Sequence, residues 1–305
     1  MPFQTLPWDA DTHYTDTGML GQAGFGATYL VDDERKCLIE TGTSNEVDAI
    51  EEAIATFGLK PEDIDAVIVS HIHLDHAGGA GYLLDKMRRA KVYVHHRGAR
   101  HLADPTRLLS SAQDALQSMA AEFGTMKPIR SDRIVAVNEN DTLDLGSRVL
   151  RFMDSPGHAP HELTILDEKT RCVYTGDAAG LYFPGDELLL PITPPPSFDL
   201  EANLRVFARL TQLDPRALLY SHYGPHVHPR RALQQMAMRY PAWAGIVKAR
   251  TRTGEPEDRI VEELLRTHCL SMTRYPADFL RRRIANSVRG LVAYHQRLEN
   301  ASSLG

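Results

Sequence analysis

Cysteine is scarce in this sequence, and long runs of apolar residues are absent. The three cysteines, Cys37, Cys172 and Cys269, have no spacing typical of a disulfide framework or of a thiolate zinc site. No segment approaches the roughly 20 apolar residues that a membrane-spanning helix needs, and the start of the chain lacks the basic and apolar regions of a signal peptide. We therefore expect a cytoplasmic protein with no membrane partner.

Basic residues are few in most of the chain and are concentrated at its end. Residues 229–305 contain 14 Lys and Arg against 7 Asp and Glu, although the whole chain has a net charge of −6. The acidic remainder would repel a phosphate backbone, so nucleic acid is an unlikely partner. Adjacent helical residues point about 100° apart. We therefore predict that the arginines of the last helix serve packing, subunit contact or substrate entrance; they are Arg281, Arg282, Arg283 and Arg289. A subunit contact of this kind would make the protein a homo-oligomer.

Short segments rich in β-branched residues, bounded by Gly, Asp and Pro, predict strands throughout the first half of the chain and beyond. These segments are Gly26–Val31, Lys36–Glu40, Asp65–Ser70, Lys91–Val94, Arg133–Val137, Arg148–Met153, Leu163–Leu166 and Arg171–Thr175. Apolar residues at three-to-four-residue spacing predict helices between and after them. These helices are Glu46–Phe57, Gly79–Ala90 and Leu200–Leu213. Strands and helices mix in both halves, which indicates a layered α/β fold.

The remaining segments suggest an insertion and an appendage. Residues 97–130 are helix-prone, notably over Leu108–Met126, and are interpreted as an insertion over one face. The segment Pro191 to Pro196 cannot form a regular helix or a central strand, and it predicts a rigid loop near the site mouth. Three further helices are predicted at Arg230–Arg250, Pro256–Thr267 and Pro276–Glu299. We thus predict a catalytic domain over residues 1–228 and a C-terminal helical appendage over residues 229–305.

The most specific motif is His71-Ile72-His73-Leu74-Asp75-His76, which directly follows an apolar strand. Side chains at i and i+2 of an extended segment point the same way, so His71 and His73 can hold one metal together. Asp75 and His76 then project from the turn that opens the next helix, where they can meet a second metal. A histidine-rich loop without function is the alternative interpretation, and the fixed offsets make it a weak one.

This H-x-H-x-D-H pattern resembles the metallo-β-lactamase superfamily, and three further matches follow in the order of that family. They are Ser155-Pro156-Gly157-His158, Thr175-Gly176-Asp177 and Ser221-His222. Each of the three is a weak signal alone, and their joint order is the informative feature. The resemblance covers roughly residues 20–228 and implies a four-layer αββα sandwich with the metals at one end, between the two sheets.

The resemblance also implies the ligand set and the chemistry. Its first metal would be bound by His71, His73 and His158, its second by Asp75, His76 and His222, with Asp177 bridging both. Nitrogen and oxygen ligands without thiolate suit zinc, and iron and manganese accept the same set. Two such divalent ions would share a hydroxide that attacks a carbonyl group, with Asp75 orienting it or relaying a proton.

Other residues are candidates for supporting roles. Glu40 stands where many family members carry aspartate behind the metal loop, and its longer side chain alters the reach of the carboxylate. Tyr182 and Tyr223 each follow a metal ligand and could donate to an oxyanion, although packed aromatic rings are the more common case. His161 could orient a substrate or be only a turn residue. His95, His96 and His101 are expected at the surface.

The branch of the superfamily narrows the expected function. Flavodiiron proteins carry glutamate at the position of His73, and true β-lactamases lack the bridging carboxylate that Asp177 supplies. We therefore expect a hydrolase for a small ester, thioester or lactone, as in glyoxalase-II-like enzymes and lactonases. Two alternatives stay open. One is a mononuclear iron oxidoreductase like the persulfide dioxygenases, and the other is a nucleic-acid phosphodiesterase.

Overall fold

The fold is seen in a computed structural model that describes residues 5–184, 187–269 and 274–303. Its strands are β1 (Thr5–Pro7), β2 (Thr12–Asp16), β3 (Ala27–Val31), β4 (Lys36–Ile39), β5 (Ile64–Ile68), β6 (Lys91–His95), β7 (Ile134–Val137), β8 (Thr142–Asp144), β9 (Val149–Asp154), β10 (Leu163–Asp167), β11 (Cys172–Tyr174), β12 (Leu181–Phe183), β13 (Leu188–Leu190), β14 (Ala217–Tyr220) and β15 (Gly224–His226). Its α-helices are α1 (Val47–Thr56), α2 (Leu74–Ala77), α3 (Ala80–Lys86), α4 (His96–Ala103), α5 (Thr106–Leu116), α6 (Leu200–Leu213), α7 (Pro229–Arg252), α8 (Glu257–His268) and α9 (Ala277–Ser303).

Two mixed sheets form the centre of the fold. The first has the strand order β1-β2-β3-β4-β5-β6-β7, and the second has the order β15-β14-β11-β10-β9-β8. The pairings β4–β5, β5–β6, β6–β7 and β11–β14 are parallel, and the other pairings within the two sheets are antiparallel. Strands β12 and β13 pair separately as a short hairpin.

The alternation of side chains along each strand explains the layers. On β5, Ala66 and Ile68 join an inner apolar cluster together with Phe152 and Ile165 of the opposite sheet, whereas Val67 joins the outer cluster beneath the helices. Successive side chains of a strand point to opposite faces, and both faces of these strands are apolar, which suits sheets covered on each side. Each sheet therefore packs one face on the other sheet and one face on helices.

The outer layers complete a four-layer αββα sandwich. Helices α1 and α3 cover the first sheet with buried residues that include Ile50, Ile54 and Leu83. Helices α6 to α9 cover the second sheet, and their apolar residues form one cluster with Val173 and Leu218 of its strands. The fold class predicted from the sequence is confirmed.

The predicted elements match the observed ones unevenly. The eight predicted strands correspond to β3–β7 and β9–β11, whereas the sequence analysis gave no strand for β1, β2, β8 or β12–β15. The helix predicted over Leu108–Met126 is divided, because α5 ends at Leu116 and a 3₁₀ segment, Gln117–Phe123, follows. The three C-terminal helices lie close to their predicted positions. None of the helices in the described part of the chain is both long and apolar enough to cross a membrane.

Candidate metal centre

The histidine motif occupies a tight turn at the end of β5. The turn continues into the short helix α2, and it is held from below because the Thr41 hydroxyl donates a 2.7 Å hydrogen bond to the carbonyl of His76. Gly79 follows at a point where an added Cβ would lie 2.3 Å from the carbonyl oxygen of Thr41. A small residue is therefore required there, and the close packing positions the side chains of the motif.

Three histidines converge on one point. Nε2 of His71 and Nε2 of His158 each lie 2.9 Å from Nδ1 of His73. His71 and His158 are buried, and His73 is partly exposed at the wall of a cavity. Nitrogen atoms in this arrangement can bind a single metal ion, which would replace the direct contacts between the rings.

A second group of possible ligands lies next to the first and shares Asp177 with it. Oδ2 of Asp177 lies 3.3 Å from Nε2 of His158, whereas Oδ1 lies 3.5 Å from Nε2 of His76 and 3.6 Å from Nε2 of His222. Oδ2 of Asp75 lies 3.6 Å from the same nitrogen of His222. The two oxygens of one carboxylate thus face different groups, which is the arrangement that a bridging ligand requires.

The far nitrogen of each buried histidine faces a second group. Nδ1 of His71 lies 3.0 Å from the Ser70 hydroxyl and 3.1 Å from Glu162, and Nδ1 of His76 lies 3.3 Å from Glu40. Carbonyl oxygens serve the other two rings: Phe25 lies 2.9 Å from Nδ1 of His222, and Ile192 lies 3.3 Å from Nδ1 of His158. Such partners fix the orientation of an imidazole ligand.

The electrostatic state of the first group also suits metal binding. Burial lowers the pKa of His71 and of His158, and it lowers the pKa of His73 to about 3. A neutral imidazole keeps a lone pair for a metal, whereas a protonated one has none.

Unsatisfied buried atoms provide a test of whether metal ions fit. Nε2 of His76, Nε2 of His222 and Oδ1 of Asp177 are all buried and have no hydrogen-bond partner among the described residues. A buried polar atom without a partner costs about 1–3 kcal/mol, so three at one point call for a compensating group. A divalent cation would satisfy all of them, and the residues present fit it.

Glu162 is a supporting residue that the sequence analysis missed. Besides its contact with His71, it accepts a 2.8 Å hydrogen bond from the backbone N–H of Asp177. Gly176 makes this possible, because its φ is +52° and an added Cβ would lie 2.3 Å from Oε1 of Glu162. The only signal in the sequence was an acidic residue that directly follows His161.

Glu40 lies behind the metal loop, as its position in the sequence predicts. It follows β4 with a φ of +69°, which is uncommon for a residue other than glycine. Its Oε2 faces His76, and its Oε1 accepts a 2.9 Å hydrogen bond from the hydroxyl of Ser221. The carboxylate therefore connects the loop of His76 to the segment that carries His222.

A cavity of about 530 Å³ opens beside this cluster. His73, Asp75, His158, Asp177 and His222 form its polar end. The opposite wall comes from α5, the 3₁₀ segment and α9. The proline-containing loop, residues 191–196, also lines the cavity through Ile192, Pro194, Pro195 and Pro196. The cavity is of a size typical for small-molecule sites, and both the insertion and the C-terminal helices contribute to it.

Helix α9 holds the proline-containing loop in place. The Thr193 hydroxyl donates a 2.8 Å hydrogen bond to the carbonyl of Ser287, whose own hydroxyl donates to Pro191 at 3.2 Å. Arg297 donates to the carbonyls of Pro196 and Phe198. Gly290 permits the close approach, since an added Cβ would lie 1.7 Å from the carbonyl oxygen of Thr193.

The two candidate tyrosines lie near the ligands but do not line the cavity. The Tyr182 ring is buried against His226, with centroids 4.8 Å apart, and the Tyr223 ring contacts Tyr14 at 6.0 Å. Their backbones do reach the site, because the N–H of Tyr182 donates to the carbonyl of His222. In this arrangement the two tyrosine rings serve packing, and their hydroxyl groups could donate to an oxyanion only if the rings moved.

Two histidines outside the motif, His95 and His101, differ from the expectation that they lie at the surface. His95 was expected at the surface but is buried on β6, with Nε2 3.3 Å from Asp154. The expectation was wrong because β6 extends to His95, so this side chain belongs to the sheet and not to the segment that follows it. His101 and His161 line the cavity, and burial lowers the pKa of His161 to about 3.

The arginines of α9 have intramolecular roles. Arg281 forms an ion pair with Glu262, Arg282 with Glu122 and Arg289 with Glu257. Arg283 is partly exposed, lies among aromatic rings and lines the cavity together with Arg282. The ion pairs agree with the predicted packing role.

The fold and the ligand cluster together define a metal-binding protein of the αββα class. Residues 21–222 match the family model of the metallo-beta-lactamase superfamily, and the chain belongs to this superfamily. The matched region contains all seven candidate ligands and ends at His222. The C-terminal helices α7 to α9 lie outside it.

Individual relatives have varied names. The metallo-beta-lactamase fold-containing protein ST1585 of Sulfurisphaera tokodaii is 30% identical over 191 residues, which cover 61% of this chain and 68% of that protein. The probable metallo-hydrolase YqjP of Bacillus subtilis is 24% identical over 65% of this chain and 66% of its own length. A putative diflavin flavoprotein of Thermosynechococcus vestitus is 25% identical over 78% of this chain, which spans only 40% of that protein.

The crystal structure of ST1585 from Sulfolobus tokodaii superposes with a TM-score of 0.71. The superposition covers 92% of this chain and 98% of that one, at 23% sequence identity. It extends well beyond the family model and shows that the fold is shared over nearly the whole chain.

Proposed function

We propose that this protein is a dinuclear metal-dependent hydrolase that cleaves a small ester, thioester or lactone. The observation that carries the proposal is the division of Asp177 between two ligand groups. In this proposal His71, His73 and His158 hold one divalent metal ion, and Asp75, His76 and His222 hold the other. Zinc suits this set of nitrogen and oxygen ligands, and iron or manganese is the alternative.

The chain's own residues would prepare the site for acyl transfer. Bound metal ions of this kind polarise a carbonyl group and lower the pKa of bound water toward about 7. Glu162 and Glu40 hold the rings of His71 and His76 in place. Asp75 has its carboxylate at the cavity wall, where it can orient a water molecule toward a bound substrate.

The shape of the cavity supports a small, largely apolar substrate. Its walls contain Leu108, Ala112, Leu116 and Met119 from the inserted segment, and Leu181 from the hairpin. These side chains exclude water from the neighbourhood of the metal cluster, which strengthens electrostatic interactions there. A polymeric nucleic acid would need an open basic groove, whereas Arg281, Arg282 and Arg289 of α9 form ion pairs within the chain.

Oxidoreductase chemistry is the main alternative, because several relatives carry flavoprotein names. A mononuclear iron site of the persulfide dioxygenase type would leave Asp75, His76 and His222 without a metal. The unsatisfied nitrogens of His76 and His222 favour two ions over one.

Metal analysis combined with a substrate panel tests the proposal. The protein would be purified without added metal, analysed by mass spectrometry for zinc, iron and manganese, and assayed with thioesters, lactones, aryl esters and phosphodiesters. We expect about two metal ions per chain and cleavage of an ester, thioester or lactone without oxygen consumption. A single iron per chain with oxygen consumption on a persulfide would overturn the proposal.

A further inference from the structure

Arg283 occupies an unusual environment on α9. Its guanidinium carbon lies 4.9 Å from the ring centroid of Phe279, 5.4 Å from that of Phe25 and 5.9 Å from that of Phe123. Three aromatic faces thus surround one cation. Such contacts stabilise a guanidinium without using its N–H groups.

The N–H groups of Arg283 lack partners. Nε and Nη2 are buried and have no hydrogen-bond acceptor within the described residues, and no ion pair of Arg283 is found there either. The neighbouring Arg282 differs, because its Nη1 lies 2.5 Å from Glu122. Burial lowers the pKa of Arg283 to about 10, so the group is still charged at neutral pH.

Arg283 lines the same cavity as the metal cluster. The Phe25 ring connects the two, because it stacks on the ring of His222 at 4.5 Å and on the guanidinium of Arg283. The carboxylates that line the cavity, within the described residues, are those of Asp75 and Asp177, and both belong to the ligand cluster. A guanidinium without an ion pair within the described residues therefore lines the cavity one aromatic ring away from the proposed reaction centre, on a wall that also carries Arg107, Arg282 and Asn286 beside its apolar side chains.

We propose that Arg283 binds a carboxylate of the substrate, so that the natural substrate is an ester, thioester or lactone whose acyl chain ends in a negatively charged group. This inference rests on the proposed function, because it treats the cavity as the acyl site. Nε and Nη2 form one edge of the planar guanidinium, and this edge matches the two oxygens of a carboxylate. The apolar wall would accommodate the carbon chain between the carboxylate and the reacting carbonyl.

Two matched pairs of ligands test the inference. The first pair is para-nitrophenyl hydrogen adipate and para-nitrophenyl hexanoate, which differ in the terminal carboxylate. The second pair is adipate and hexanoate, which are titrated calorimetrically into the metal-loaded protein. Adipate can place one carboxylate at the metal cluster and the other at Arg283, whereas hexanoate has only one carboxylate to place.

The variants are chosen to separate charge, shape and stability. Arg283→Met keeps the apolar stem and removes the charge, whereas Arg283→Lys keeps the charge and loses the planar edge. Arg281→Met is the matched control, because Arg281 lies two residues earlier on α9 and pairs with Glu262 at the surface. Circular dichroism checks the folding of each variant before it is assayed.

We expect the wild-type protein to prefer the charged member of each pair by about 10- to 100-fold, mainly through KM and Kd. Arg283→Met should abolish the preference by raising KM and Kd for the charged member of each pair more than for the uncharged one. Arg283→Lys should retain part of the preference, and Arg281→Met should retain all of it. If Arg283→Met does not fold, the wild-type and Arg283→Lys preferences decide the question.

The outcomes distinguish the inference from the proposed function. Equal affinity of the wild-type protein for both members of each pair would overturn the role of Arg283, even if both esters are cleaved. A loss of both activities by the same factor in a folded Arg283→Met variant would also overturn it. Binding of adipate that depends on Arg283, without cleavage of any ester, would instead overturn the hydrolase proposal and leave the carboxylate site in place.

Discussion

Glu162 lies 3.1 Å from Nδ1 of His71, on the side of the ring opposite the nitrogen that faces His73. Replacing the oxygen that faces Nδ1 with an amide N–H should loosen the hold on His71, whereas the amide oxygen can still accept from the backbone of Asp177. Glu162→Gln should weaken metal affinity and turnover by about 10- to 100-fold, measured by competition with a chelator. Glu168→Gln is the control, because Glu168 pairs with Arg151 at the surface. Unchanged affinity in Glu162→Gln would show that this contact is not needed.

Asp177→Ala should remove both the bridging ligand and the catalytic activity. Without the carboxylate, two metal ions would repel each other, so metal content should fall from about two per chain to about one or less, and turnover by at least about 100-fold. Folding should largely survive, because the site contributes little apolar packing. Elemental analysis measures the metal content, and circular dichroism measures the folding. Near-normal turnover would contradict the dinuclear mechanism.

His222→Ala and His76→Ala should empty the second metal position and leave the first largely filled. Each histidine belongs to the group around Asp75, whereas His73 and His158 group with His71, which also lies near His76 and Asp177. We expect about one metal ion per chain and reduced turnover in both variants. A variant such as His228→Ala, whose ring contacts His226 rather than a ligand, should keep both ions. Loss of all metal in either ligand variant would mean that the two groups do not bind independently.

Arg148 should be important for stability. Its buried guanidinium contacts Asp167 at 2.8 Å, Asp11 at 3.1 Å and Asp33 at 3.4 Å. Arg148→Met would leave these acids without their cation, which costs about 3–5 kcal/mol when a buried pair is broken. Arg151→Met removes a half-exposed pair nearby and should cost less than about 1 kcal/mol. Urea unfolding measures both, and equal losses would contradict the assignment.

The cysteines should be nearly inert in the folded protein. All three are buried, and burial raises the pKa of each thiol, to about 11 for Cys269. At pH 8 the reactive thiolate is therefore rare, and it increases as the pH rises toward 11. Ellman's reagent should label the native chain slowly and all three thiols at once in denaturant. Rapid labelling at pH 8 would contradict the buried positions.

The sequence indicated which candidate ligands come together better than it indicated their surroundings. The motif is local in sequence, because one turn fixes the side chains of His71, His73, Asp75 and His76. The strand before this turn is clearly apolar. His158, Asp177 and His222 were recognised only by their resemblance to family motifs. Their convergence depends on β9, β11 and β14 belonging to one sheet, in the order β14-β11-β10-β9, which no local pattern specifies.

The cavity wall could not be predicted, because it depends on long-range packing. Helix α9 was located within a few residues, yet nothing in its periodicity shows that Arg283 faces the metal site. Glu162 and Gly176 are informative only as a pair, since the missing Cβ of one makes room for the carboxylate of the other. Tyr182 and Tyr223 illustrate the opposite problem, because closeness in sequence to a ligand did not place their rings in the cavity.

The hydrogen bonds between α9 and the proline-containing loop tie the cavity wall to a helix that carries none of the candidate ligands. Every proposed ligand precedes residue 223, whereas Arg282, Arg283 and Asn286 reach the cavity from a helix that begins at Ala277. One residue inserted at the start of that helix would rotate all of these side chains by about 100°. The same rotation would move Ser287 and Gly290 away from the proline-containing loop, so the register of α9 sets both the position of that loop and the shape of the cavity.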